Sequence, residues 1–291
     1  MKSDHLLRIV HRTHYQYAEP VTFQSHRLVV RPREGHDLRV ESLGLAISPT
    51  AQVTWTRDIF GNSIAQVEFR ERGMDLKIDV DVVVRRFFDP NSPPNAAHCP
   101  NLYPLQYETL EHGILTAYLT PLYPEEMAAV QQWIQQLPRP GDFPSAEAFV
   151  LRLTEIVHQR IGYQRRDQKG VQSPATTLSM GSGSCRDVAT LMIETVRHLG
   201  IAARFASGYL DCPATRAARG STHAWTEVYF PQLGWRGFDA TIGRPCDYRH
   251  IVTGTSHHPR GVMPITGKFF GAAGAFMNLW VGVEFSSPAE L

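Results

Sequence analysis

The sequence predicts an α+β fold: an all-β, sandwich-like N-terminal domain followed by a domain in which helices precede an antiparallel sheet. Three observations carry this expectation. Residues 5–88 run as short period-two segments with no helix-period stretch between them. A proline-rich segment from Asp89 then ends that pattern. Helical spacing dominates from Glu125 to Leu199, after which period two returns. The expected boundaries are residues 1–88 for the sandwich-like domain, 89–124 for a proline-rich connector and 125–291 for the α+β domain.

Arg8 to Tyr17 is rich in β-branched and aromatic residues and is expected to stop at Glu19-Pro20. Arg27 to Arg31 reads as a short strand closed by Pro32. Leu43 to Ile47 and Gln52 to Thr56 alternate, Phe60-Gly61-Asn62-Ser63 has turn chemistry, and Ile64 to Phe69 alternates again. Leu76 to Val84 is the clearest period-two run. Strands at about ten-residue spacing suit a sandwich. His5, His11 and His14 lack tight ligand spacing and read as strand residues rather than as a metal site.

Scattered prolines keep the sequence loop-like to about Pro124. Glu125 to Leu137 is helical, opened by Pro124 and closed by Pro138. Ser145 caps a second helix to about Arg160, burying Phe149, Leu153, Ile156 and Val157. A polar loop, Arg165 to Gly170, leads to a third. Beyond it, Arg204 to Leu210, Ala224 to Phe230, Trp235 to Phe238 and Leu279 to Phe285 read as one strand series. Arg244 to Pro264 reads as a long loop of the functional kind.

Composition narrows the function classes. The 291 residues are 43% hydrophobic and 20% charged, and 29 Lys plus Arg against 28 Asp plus Glu leave a net charge of +1. That balance gives no support for nucleic acid or an acidic membrane surface as partner. No uninterrupted apolar run reaches the roughly 18 residues of a membrane span. Met1 to Arg8 is too charged for the apolar region of a signal peptide. Cys99, Cys185, Cys212 and Cys246 lie far apart with no C-x-x-C pair, which disfavours a disulfide framework and structural zinc. A cytoplasmic, reduced protein is expected, without cofactor or metal. The sequence sets no oligomeric state.

The chain is organised around Gly181 to Leu199. Gly and Ser form an open approach, and Val188, Leu191, Met192, Val196 and Leu199 then fall on one helical face. Ser184 with Asp187 three residues on reads as a capping box, which puts Cys185 in the first turn. There the free N–H groups and the positive end of the helix dipole favour a thiolate. Such a cysteine can attack a carbonyl, or it can simply be a small buried residue that starts a helix. Two further positions favour the first reading. His223 opens one strand and Asp239 ends the next, and a tight Pro231-to-Gly234 turn would set the strands side by side. An imidazole would then meet a carboxylate, the orienting pair a Cys nucleophile needs.

These stretches resemble the core of the transglutaminase-like superfamily: Gly183-Ser184-Cys185-Arg186-Asp187 on a helix, Gly200 to Tyr209, His223-Ala224-Trp225 and Gly234 to Asp239. His11 to Tyr17, Pro20-Val21, Arg31-Pro32-Arg33 and Asp58 to Asn62 are similar to the β-rich region that precedes that core in bacterial members. Tyr118 to Pro121 and Lys268 to Gly271 fit the same architecture. The resemblance implies a papain-like fold, with the helix-borne Cys packed on an antiparallel sheet. It also implies Cys185 as nucleophile, His223 as general base and acid, and Asp239 as orienter. Calcium dependence has no motif here, and the C-x-x-C zinc pairs of the deglycosylating branch are absent. Ala240 stands where relatives usually have Pro, and Ser256 to Pro259 where they are often more acidic.

The expected function is thiol-dependent acyl-enzyme chemistry on a peptide or side-chain amide. The acyl group would be released to water, as in a cysteine protease or amidase, or to an amine, as in a transglutaminase. The partners are then a peptide or protein substrate and, for transfer, an amine acceptor. The alternatives are a non-catalytic binding module on the same fold and an acyl-CoA-dependent N-acyltransferase. The intact Cys-His-Asp set argues against the first, and the lack of a basic or phosphate-binding cluster near Cys185 against the second. Trp225, Asp187, Tyr209 and His257 are candidate substrate contacts. For Trp225 core packing, and for Asp187 helix capping, is the plainer reading.

Overall fold

The computed structural model describes residues 3–88, 101–166, 168–217 and 220–287. Six strands come first: β1 Ser3–Phe23, β2 His26–Leu28, β3 Leu38–Ser48, β4 Ala51–Arg57, β5 Ser63–Phe69 and β6 Arg72–Phe88. Helices α1 Thr109–Leu119, α2 Met127–Ile134 and α3 Ala146–Arg160 follow. Two-residue strands β7 Gly162–Tyr163 and β8 Ser182–Gly183 flank α4 Pro174–Met180 and lead into α5 Cys185–His198. Next come β9 Ala203–Leu210, α6 Pro213–Arg216, β10 His223–Phe230, β11 Gly234–Asp239, β12 Arg244–Pro245 and β13 His250–Ser256. The last strands are β14 Ile265–Thr266, β15 Phe269–Phe270 and β16 Phe276–Ser286.

Two sheets form the expected sandwich. One runs β3-β6-β1, with β15 and β16 both paired to the far edge of β1; the other runs β14-β2-β5-β4. Tyr17, Val21 and Phe23 of β1 and Leu76, Ile78 and Val80 of β6 close on Leu28, Ala65 and Val67 of the second sheet. Their alternate residues face outward, as period two requires. The third sheet, β12-β11-β10-β9-β13, is antiparallel and carries α5 on one face.

Two differences from the sequence reading matter for the site. The C-terminal strand does not extend the third sheet: β16 pairs antiparallel with β1 along Arg8–Tyr17, so the end of the chain completes the N-terminal sheet. A single edge strand's periodicity cannot say which sheet supplies its partner. The region read as a long loop, Arg244 to Pro264, contains β13, which pairs with β9. Elsewhere β1 continues past Pro20 through a register shift, where a missing N–H is tolerated. Within the expected connector, Leu115 and Tyr118 hold α1 against Ala202. The stretch 89–100, with Cys99, lies outside the described residues.

The halves are locked together by buried polar contacts. Asn62 is fully buried; its Nδ2 donates to the Thr255 carbonyl (2.8 Å) and its Oδ1 accepts the Thr255 N–H (2.9 Å). The Arg33 N–H donates to the Val252 carbonyl (2.8 Å) and its Nη1 to Thr255 Oγ1 (2.6 Å). Tyr209, 1% exposed, lies among Leu7, Ile9, Val82 and Val84 of the first sheet. Its hydroxyl donates to the Val30 carbonyl (3.1 Å) and meets His11 Nδ1 (3.2 Å). Burial holds the His11 imidazole down at about 4, so it stays neutral at pH 7. Tyr209→Phe is therefore expected to lower unfolding free energy by about 1–3 kcal/mol in urea titration, because a buried carbonyl and an imidazole lose their partner.

Candidate active site

Cys185 is placed by the local chemistry of the α5 N-terminus. Ser184 is the N-cap, and Asp187 reaches back to its N–H (2.8 Å) and hydroxyl (2.7 Å). The same carboxylate accepts the Gln172 N–H (2.7 Å) and Arg166 Nε (2.8 Å). Asp187 is 0% exposed, so all of its capacity goes to fixing the turn. The candidate role of Asp187 as a substrate contact is corrected: it lies behind the turn. Cys185 itself is partly exposed.

His223 and Asp239 come from neighbouring antiparallel strands, β10 and β11, paired from Thr226↔Phe238 to Phe230↔Gly234. The register carries Asp239 to the end of β11, alongside the start of β10. His223 Nε2 lies 2.7 Å from Asp239 Oδ2, and the Cys185 thiol is near enough to the ring to act on its charge. Since Asp239 occupies Nε2, Nδ1 is the nitrogen left for sulfur. Burial alone would push the imidazole down, but the Asp239 hydrogen bond and the charges of Asp239 and Cys185 outweigh it and hold His223 up at about 10. For Asp239, fully buried, desolvation works against the charge; the hydrogen bonds from His223 and His250 prevail and hold the carboxyl well below its usual range.

His250 is the site residue that sequence reasoning missed. Its Nε2 lies 3.1 Å from the same Asp239 Oδ2, while Oδ1 accepts the Thr241 N–H (2.9 Å). His250 Nδ1 accepts the Asp247 N–H (3.2 Å), leaving Nε2 as the protonated nitrogen that points at Asp239. The alternation Ile251, Thr253, Thr255 was a readable strand signal, and it sets a histidine at the strand's first position. The donor atoms of His223, Asp239 and His250 lie within 4.8 Å of one another, a spacing that could hold a metal ion. Their mutual hydrogen bonds already account for that spacing.

The other three candidates lie off the cleft. Trp225 is 1% exposed. Its neighbour Thr226, opposite Phe205, faces α5 and donates to the Ala189 carbonyl (3.1 Å). Strand alternation therefore turns Trp225 to the other face, where its ring meets His250 edge-on at 5.1 Å. Tyr209 is sealed under the N-terminal sheet, as described. His257 accepts a hydrogen bond on its carbonyl from Arg197, at the opposite end of α5. Twelve helical residues at about 1.5 Å each put that end roughly 18 Å from Cys185.

Cys185 and His223 open onto a cleft of about 440 Å³ between the third sheet and the N-terminal sheet. One wall is apolar: Tyr15 of β1 and Phe276, Met277 and Leu279 of β16. The other carries Arg165, Arg166, Lys169 and Arg186.

The two shifted groups set a pH window for stability. His223 is raised from 6.5 to about 10, so its contribution is complete below 6.5 and is lost as pH rises through about 10. Asp239 is depressed from 3.8, so its contribution is complete above 3.8 and is lost as pH falls through its low native value. The melting-temperature gap between wild type and Asp239→Asn should therefore be widest between pH 3.8 and 6.5 and narrow on either side. A gap independent of pH would contradict the pairing.

Comparison with known proteins gives the same architecture. Residues 7–85 match the bacterial transglutaminase-like N-terminal region, and residues 131–240 match the transglutaminase-like superfamily. An uncharacterized protein of Mycobacterium tuberculosis, Rv2569c, is 29% identical, covering 93% of this chain and 89% of its own. The uncharacterized ML0607 of Mycobacterium leprae is 22% identical over 95% of this chain and 98% of its own. A crystal structure from Cytophaga hutchinsonii, named as a candidate cysteine protease, superposes with a TM-score of 0.74 at 19% identity. It covers 98% of this chain and 91% of its own, which establishes a shared fold. Residues 131–240 thus carry a transglutaminase-like core, preceded over residues 7–85 by a bacterial transglutaminase-like N-terminal region.

Proposed function

We propose that the protein is a thiol enzyme that forms an acyl-enzyme from a peptide or side-chain amide. The observation that carries this reading is the position of His223, with one ring nitrogen on Asp239 and the other toward Cys185. An imidazolium beside a thiol at a helix N-terminus favours the thiolate. The sulfur attacks the carbonyl carbon, and the C–S bond forms as the carbonyl electrons move to oxygen. The Cys185 and Arg186 N–H groups, at the first two positions of α5, precede the helix's own hydrogen-bond ladder and can stabilise that oxyanion. As the C–N bond breaks, the His223 proton passes to the leaving amine. His223, now neutral, removes a proton from water or from an acceptor amine as its oxygen or nitrogen forms a bond to the acyl carbon. The C–S bond then breaks, releasing an acid or a new amide and restoring the ion pair.

Asp239 keeps the ring in the tautomer and orientation this cycle needs. His250 and Thr241 keep Asp239 in place in turn. Both release routes use the same residues, so the identity of the acceptor separates hydrolysis from transfer.

Incubation with a mixed peptide digest and a fluorescent primary amine, read by mass spectrometry, tests the proposal. New peptide ends or amine-tagged peptides are expected with wild type and a loss of at least about 10³-fold with Cys185→Ala. Product that persists undiminished in Cys185→Ala would overturn the reading.

A further inference from the structure

The cleft beside Cys185 is bordered by an open strand edge. In the first sheet β16 lies outermost, with β1 as its one strand partner among the described residues. Its register with β1 is regular from Ser286 to Asn278. The Val283 N–H points away from β1 and donates to the Gly220 carbonyl (3.0 Å), forming a single antiparallel bridge. Backbone groups alternate along a strand, so the N–H and C=O of Val281 and Leu279 point to that same side. Among the described residues nothing pairs with them there.

This edge borders the reactive groups. From the bridge, Gly220 leads within three residues to His223, while β16 runs off toward Met277. Ser221, Thr222 and His223 on one side and Leu279 and Val281 on the other line the same cleft as Cys185. The edge is also unguarded. Open strand edges are usually blunted by charge or proline, and Phe276 to Val281 contains neither. Val283 and Phe285 are buried in one cluster with Tyr209, yet Leu279, on the same strand face, is 40% exposed. An apolar edge left bare beside a nucleophile is suited to a transient partner strand.

We propose that the acyl donor is an extended peptide that adds a strand to β16, its backbone pairing with the free N–H and C=O groups of Leu279 and Val281. Such a site reads main chain, so the donor is a peptide segment several residues long and not a free amino-acid amide. This placement rests on the acyl-transfer reading of the same site.

The test uses a tetrapeptidyl acyloxymethyl ketone and a set in which each amide nitrogen in turn carries a methyl group. Cys185 forms a C–S bond as the carboxylate leaves, and intact mass gives the labelling rate. Iodoacetamide, which has no peptide chain, runs in parallel and reports on the thiol alone. A paired strand turns every second N–H to its partner, so methylation should slow labelling at least about fivefold at alternate positions and little between them. Leu279→Pro removes an N–H that β1 does not use, a change that an edge strand tolerates. It should slow the parent peptide reagent at least about fivefold relative to iodoacetamide and shrink the alternation. Methyl groups that slow labelling equally at every position, or not at all, with Cys185 still labelled by iodoacetamide, would overturn strand addition and leave the acyl-transfer reading intact. A folded Leu279→Pro that keeps the wild-type ratio of the two rates would do the same. Where Leu279→Pro does not fold, the methyl series on wild type decides alone. Dimers in sedimentation that Leu279→Pro dissolves, with no alternation in the methyl series, would put a second copy of the chain on this edge and overturn the proposal. Failure of Cys185 to react with any reagent, iodoacetamide included, would overturn the acyl-transfer reading and the placement with it.

Discussion

A single buried carboxylate holds this site together. Asp239 is fully enclosed, and the charge is tolerated there because three donors meet it: His223 and His250 on one oxygen, the Thr241 N–H on the other. A buried carboxylate without such partners would protonate, and the imidazole would lose both its tautomer and its direction. Each donor comes from a different piece of backbone: the start of β10, the start of β13 and the turn after β11. The geometry at Cys185 is thus a statement about how those three ends are registered in one sheet.

That registration explains why the N-terminal half is integral to the site. Strand β13, which delivers His250, is gripped through its backbone by Arg33 and Asn62 of the N-terminal half. Tyr209, on the neighbouring β9, is embedded in the first sheet. The last strand, β16, runs back along β1 and forms the apolar side of the cleft. The cleft thus lies between a wall built by the N-terminal sheet and the Cys185 thiol presented by the core.

What the sequence disclosed, and what it concealed, follows from the range of the interactions. The capping box at Ser184 and Asp187 is an i,i+3 contact, so the placement of Cys185 in the first turn was legible. His223 and Asp239 were legible as a pair because a short hairpin fixes their strands. Trp225 and Tyr209 lie on strands whose alternation was readable, but alternation does not say what covers each face. The cover turned out to be His250 for one and the N-terminal sheet for the other. For Asp187 the sequence admits two roles, and the donors of Ser184, Gln172 and Arg166 on its buried carboxylate leave room only for fixing the turn. A loop would leave His257 free to approach the site, whereas β13 carries it to the far end of α5. The homing of β16 onto β1 spans almost the entire chain, a contact that local patterning does not encode.

The measurement that most directly tests the central claim is the rate of Cys185 alkylation by iodoacetamide at pH 6, followed by intact mass in wild type and His223→Ala. Free thiols are almost wholly protonated and slow at that pH. One rapid adduct at Cys185, slowed by at least about tenfold when His223 is removed, is the expected result. Cys185 reacting no faster than Cys99, Cys212 or Cys246, or unchanged in His223→Ala, would contradict an imidazole-held thiolate at the head of α5.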